Sequence, residues 1–156
     1  MQTYDRRQAS ETPSFDAVVK ANLEPKLLAA ANKAAKIADK VEDTIQDMRL
    51  PWSKRVELAK KLCAESAQAA YAVLDLLRPI LIKGRAEALV LHLNDATALS
   101  DELHLLDASR NALFGFMGKQ DHDSYEREWK DLTHNLAMNI TYVLQFYRQL
   151  KGHYGR

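Results

Sequence analysis

Apolar residues recur at steps of three and four through most of the chain, and short breaks divide the pattern into four stretches of similar length. In the first stretch Leu23, Leu27, Ala30, Ala34, Ile37, Val41, Ile45 and Met48 form one stripe of a helix. Ser14 is placed to cap it, and Pro25 either kinks the helix or restarts it, because proline fits only a first turn. "RLPWS" (49–53) breaks the pattern at Pro51, with Ser53 positioned to cap a second helix along Val56, Ala59, Leu62, Cys63, Ala70, Val73 and Leu77. "RPILIKGR" (78–85) brings Pro79 and Gly84 as a second break. A third stripe runs Ala96, Leu99, Leu103, Leu106, Arg110, Leu113 and Met117, and Gly118 ends it. In the turn "GKQDHDS" Asp123 and Glu126 stand three apart like a capping box. The fourth helix then buries Tyr125, Trp129, Leu132, Leu136, Val143, Tyr147 and Leu150, with Gly152 at its C-terminal cap.

These spans predict helices over about 14–48, 53–82, 86–117 and 124–151, each about 42–52 Å long at a rise of 1.5 Å per residue. Matched lengths and short connections predict an all-α fold, a single up-down-up-down antiparallel four-helix bundle with long helices. Residues 1–13 read as a disordered N-terminal arm, 14–151 as the bundle and 152–156 as a flexible C-terminal tail.

Composition agrees with helix. Gly and Pro number five and four, and Ala and Leu outweigh the β-branched residues that lose more on helix formation. One cysteine, Cys63, excludes an internal disulfide and fits a reducing compartment. "MQTYDRRQASETPS" contains no apolar signal core, and no run approaches the roughly 18 apolar residues of a membrane span. The expectation is a cytoplasmic protein with no membrane contact. Net charge is only +1, but residues 49–85 carry +5 and residues 86–123 carry −5.

No residue set reads as catalytic, and no cofactor, metal or small-molecule substrate is expected. A di-iron bundle needs inward carboxylates on two helices and Glu-x-x-His on the other two. The nearest match, Asp131-Leu-Thr-His134, puts His134 opposite the Trp129/Leu132/Leu136 face, where solvent is expected. Asp121, His122 and Asp123 read as a polar turn, and Asp101, Glu102, His104 and Asp107 as a solvated acidic face. Cys63, on an apolar stripe, reads as an inert core thiol. Arg110, at a core position, is expected to extend its charge to the surface. Lys26, Lys33, Lys36 and Lys40 form a basic stripe, but Asp39, Glu42, Asp43 and Asp47 lie on or beside it, so a mixed-charge face is expected.

The up-down order brings three separate basic stretches to one pole. Arg6 and Arg7 come from the arm, Arg78, Lys83 and Arg85 from the second break, and Arg148, Lys151 and Arg156 from the tail, with His153 and Tyr154 among them. Clustered cations displace counterions from phosphates, and aromatic rings stack on unpaired bases. An ordinary solvated helix end accounts for the same residues, since cations in a last turn favour the helix dipole. The fourth helix is apolar over a wide arc in which Ile140, Tyr142 and Phe146 flank the stripe, Leu144 lies off it and Met138 points outward. Phe114 and Phe116 spread beyond the stripe of the third helix. Phe114, Phe116, Met138, Tyr142 and Phe146 are therefore the expected partner interface.

In helix pattern the chain resembles the small four-helix accessory proteins that assist reverse transcriptases in diversity-generating retroelements, through "LPWSKRVELAKKL" and the final helix bearing Trp129. The first helix is longer than in that family. The likeness is one of topology and gives no residue a role. The reading that follows is a non-enzymatic helical-bundle subunit or adaptor that binds another protein or itself. The alternative is a nucleic-acid-binding accessory subunit that uses the basic pole.

Overall fold

A computed structural model describes residues 22–88, 93–118 and 126–154, with the backbone alone described for 79–88, 93–97, 153 and 154. Among these residues the chain forms four helices and no strand: α1 (Glu24–Gln46), α2 (Trp52–Ala88), α3 (Leu93–Met117) and α4 (Glu126–Tyr154).

Pro25 falls in the first turn of α1, where its missing N–H would have had no helical partner, so it stands at the head of the helix and does not kink it. Asn22 precedes it with φ 55°, a left-handed conformation that asparagine tolerates better than most residues. The expected cap Ser14 lies outside the described residues. α2 differs most from expectation. It does not stop near residue 82 but continues through Pro79 and Gly84 to Ala88, and α3 begins at Leu93 rather than at 86. Pro79 removes one backbone donor without ending the helix.

Contacts along the helices establish the antiparallel order. The start of α1 meets the end of α4 at Leu23–Tyr147, and its end meets the start of α4 at Glu42–Lys130. Arg78 and Arg110 link α2 to α3 at Asp107 and Ala67, and Phe116 meets Trp129 between α3 and α4. The α1–α2 turn is held from both sides. Asp47 accepts hydrogen bonds from the Arg49 backbone and guanidinium, while Arg55 reaches back to the carbonyls of Leu50 (2.9 Å) and Ile45 (3.1 Å). The Ile45 carbonyl in the last turn of α1 thus gains a charged donor.

The core runs through all four helices and includes Leu27, Val41, Cys63, Leu77, Leu106, Leu113, Trp129, Leu136 and Tyr147. Trp129 and Phe116 pack edge to face with centroids 4.6 Å apart, a contact worth about 0.5–1.5 kcal/mol beyond its area. α4 packs on α1 and α3 and also, across the bundle, on α2. This third neighbour explains the wide apolar arc of α4. Ile140 and Leu144, read as flanking or off the stripe, are both core residues.

Candidate functional site on the α1/α4 seam

The seam is built from the rims of two amphipathic helices. On α1, Leu27, Ala31, Ala34, Ala38, Val41 and Ile45 are buried, which turns Leu28, Ala35, Asp39 and Glu42 toward the edge facing α4. On α4, Thr133, Leu136, Ala137 and Ile140 are buried, which turns His134, Met138, Thr141 and Tyr142 to the matching edge. Because the helices are antiparallel, residues whose numbers rise on α1 meet residues whose numbers fall on α4. Glu24 meets Arg148, and Glu42 meets His134 and Lys130.

The two ends of this seam are polar. At one end Leu23 N–H donates to the Tyr147 hydroxyl at 3.0 Å, Arg148 pairs with Glu24, and Lys151 donates to Asn22. Burial pushes the Tyr147 phenol up, the bond from Leu23 draws it down and the Glu24 charge raises it. At the other end Lys130 Nζ lies 3.0 Å from Glu42 Oε1, and His134 Nε2 lies 3.3 Å from Oε2. The Lys130 bond holds the Glu42 carboxyl below its ordinary range, partial burial opposes this, and His134 adds a smaller lowering. Asp39 joins them, so that one ligand atom from each of Asp39, Glu42 and His134 lies within 4.8 Å of the others. His134 is half-buried against α1, not solvated as expected. A wheel drawn for one helix assigns it to water, but the neighbouring rim covers it.

Between these ends lies an open groove of about 280 Å³ lined by Ala35, Asp39, His134, Ala137, Met138, Thr141 and Tyr142. Small residues form its floor and the α1 wall, so the two rims leave room between them. Met138 and Tyr142 stand at its mouth, 50% and 39% exposed, and Leu28 lies two turns before Ala35 on the same edge, 40% exposed. A second depression of about 260 Å³ continues beyond Glu42 and Lys130 toward Gln46 and Arg127.

The other expected interface residues separate. Phe116 is only 3% exposed and packs on Trp129, so it belongs to the core and presents no docking surface. Phe146 is half-buried and packs against the core. Phe114 is exposed but sits on the α2/α3 side of the bundle, away from Met138 and Tyr142. There the Arg110 guanidinium lies 4.9 Å from the Phe114 ring and 5.1 Å from Tyr71, and its Nε donates to Ala67 O at 3.3 Å. Arg110 does extend outward from a core position, and two rings and a carbonyl receive its charge.

The helix ends share a pole as expected, with the start of α1, the end of α2, the start of α3 and the end of α4 together. The cations there are partly committed. Arg78 pairs with Asp107 at 3.2 Å, and Arg148 and Lys151 tether the start of α1. Lys83 and Arg85 lie on the last turns of α2, and His153 and Tyr154 close α4. Arg6, Arg7 and Arg156 lie outside the described residues, as does the Asp121–His122–Asp123 turn. Cys63 is fully buried, and burial pushes its thiol up to about 12, which makes it unreactive in the folded chain. Among the described residues no helix is long and apolar enough to cross a membrane. Comparison with protein families, curated proteins and solved structures finds no match.

Proposed function

We propose that the chain is a non-enzymatic, cytoplasmic helical-bundle subunit or adaptor that works by protein–protein interaction, with the α1/α4 seam as its binding face. The observation that carries this reading is the exposed apolar set Leu28, Met138 and Tyr142 around a groove with small-residue walls. An axial groove between two antiparallel helices suits a third helix, whose anchors recur at three- and four-residue steps. Lys36 is exposed on α1 one turn from the seam residue Asp39, and Lys33 and Lys40 lie farther round the same outer face. The partner element is therefore an amphipathic helix with an acidic flank, and charge would set its orientation more than its affinity.

The test is co-purification from the native cells with wild type and with a Met138→Lys/Tyr142→Lys double variant. Crosslinking mass spectrometry identifies the partner segment. The reading expects a helix with an acidic flank seated on the seam, lost in the double variant and kept in Phe114→Lys. Loss in Phe114→Lys with retention in the double variant would reject it. The basic-pole alternative has less support, because Arg78, Arg148 and Lys151 each already have a partner within the chain. Oligonucleotide binding that collapses between about 50 and 200 mM salt would revive it.

A further inference from the structure

We infer that Asp39, Glu42 and His134 form a binding site for a divalent transition-metal ion of the zinc type, held between α1 and α4 at the end of the groove. The inference does not rest on the adaptor reading.

The ligand set is mixed, with one imidazole nitrogen and two carboxylate oxygens. That combination suits zinc and its first-row neighbours, whereas magnesium and calcium favour all-oxygen shells. The spacing also fits. Two ligands at the usual 2.0–2.1 Å from one tetrahedral ion stand about 3.4 Å apart. Glu42 Oε2 and His134 Nε2 already stand at 3.3 Å, one edge of such a tetrahedron. Asp39 completes the triangle within 4.8 Å, a gap that a carboxylate rotamer change can close. The backbone behind these side chains is anchored. Ala38 and Val41 are buried beside Asp39 and Glu42, and Thr133 and Leu136 beside His134. Thr133 Oγ1 further donates to Trp129 O at 2.8 Å. The fourth coordination position would face the groove lined by Ala35, Met138 and Thr141, open to water or to a donor from a bound partner.

Lys130 sets the strength of the site. Its ammonium holds the other Glu42 oxygen, Oε1, at 3.0 Å. It leaves Oε2 free for the ion, yet its positive charge repels that ion across a short distance. Removing that charge while keeping the stem, as in Lys130→Met, tightens binding. If these groups were only a surface ion-pair cluster, removing Lys130 would free the half-buried Glu42 and give no gain in zinc affinity.

The experiment is zinc titration of the full chain against a chromophoric chelator, with cobalt substitution to report the ligand field. Wild type is expected to bind one ion at this site. His134→Ala and Asp39→Asn each weaken it by about tenfold or more, Lys130→Met tightens it severalfold, and His122→Ala leaves it unchanged. Asp39 and Lys130 are exposed, His134 is half-buried and His122 lies outside the described residues, so circular dichroism checks that each variant is folded. The inference is overturned if wild type competes no better than His134→Ala. It is equally overturned if His122→Ala abolishes binding while His134→Ala does not, which would move the ion to the Asp121–Asp123 turn.

Discussion

Along α2/α3 a long cation closes the seam. Arg110 lies over Tyr71 and Phe114 and donates to Ala67, so the two rings are roofed by a guanidinium even though both are exposed at their edges. Along α1/α4 the equivalent rim is Ala35, Ala137 and Thr141, none of the described residues roofs it, and a groove remains among them with Met138 and Tyr142 at its mouth. Both seams arise from the same antiparallel packing. The size of the rim residues decides whether such a seam is filled from within or left as a groove.

That contrast can be broken at several levels. The largest effect is expected from Trp129→Ala, which removes the core contact on which α4 meets α3. Loss of about 3–5 kcal/mol in urea unfolding is expected, with both seams disrupted. Arg110→Ala comes next. It uncovers Tyr71 and Phe114 and costs about 1 kcal/mol, and binding of a hydrophobic dye should rise on a face that was closed. Arg110→Lys should recover little of this, because an ammonium does not reproduce the planar stack. If dye binding stays at the wild-type level, Arg110 is not the roof.

Glu102 gives a smaller, pH-dependent effect. One of its oxygens is buried without a hydrogen-bond partner among the described residues. Burial, with Asp101 beside it, raises its pKa. The fold therefore tolerates the protonated form better, and stability present below the ordinary glutamate value is lost as pH rises through the raised one. Glu102→Gln should stabilise the protein at neutral pH, and the gain should vanish in acid. A gain of equal size at both pH values would contradict this account. The smallest effect belongs to the open seam. Met138→Lys/Tyr142→Lys should change stability by no more than about 0.5 kcal/mol, since both side chains already face water.

The four helices, their antiparallel order and most of the core were legible from apolar spacing, because stripes at three- and four-residue steps report burial directly. Met138 as an outward residue, and Cys63 as a buried thiol, followed from the same spacing. Pro79 was misleading because proline's local cost was weighed alone, while the rest of α2 carries the helix past it. Phe116 was misplaced because a single stripe cannot show that α3 buries a second flank on α4. Asp39, Glu42 and His134 had each drawn notice separately, the first two beside a lysine stripe and the last in Asp-x-x-His. Their convergence depends on the register between α1 and α4, which no single-helix pattern contains. An acidic pair three apart on one rim, with a histidine on the facing rim of an antiparallel neighbour, is the signal that would have found them.

Tyr71 and Tyr142 offer a matched pair for testing the difference between the seams, since both are exposed tyrosines on helix rims. The most direct measurement is photo-crosslinking in the native cells with a benzophenone side chain at either position, followed by sequencing of the joined peptide. The account predicts that position 142 joins a helical segment with an acidic flank from another protein, and that position 71 does not. Crosslinks from position 71 with none from 142, or joining of 142 only to nucleic acid or to a second copy of the chain, would contradict it.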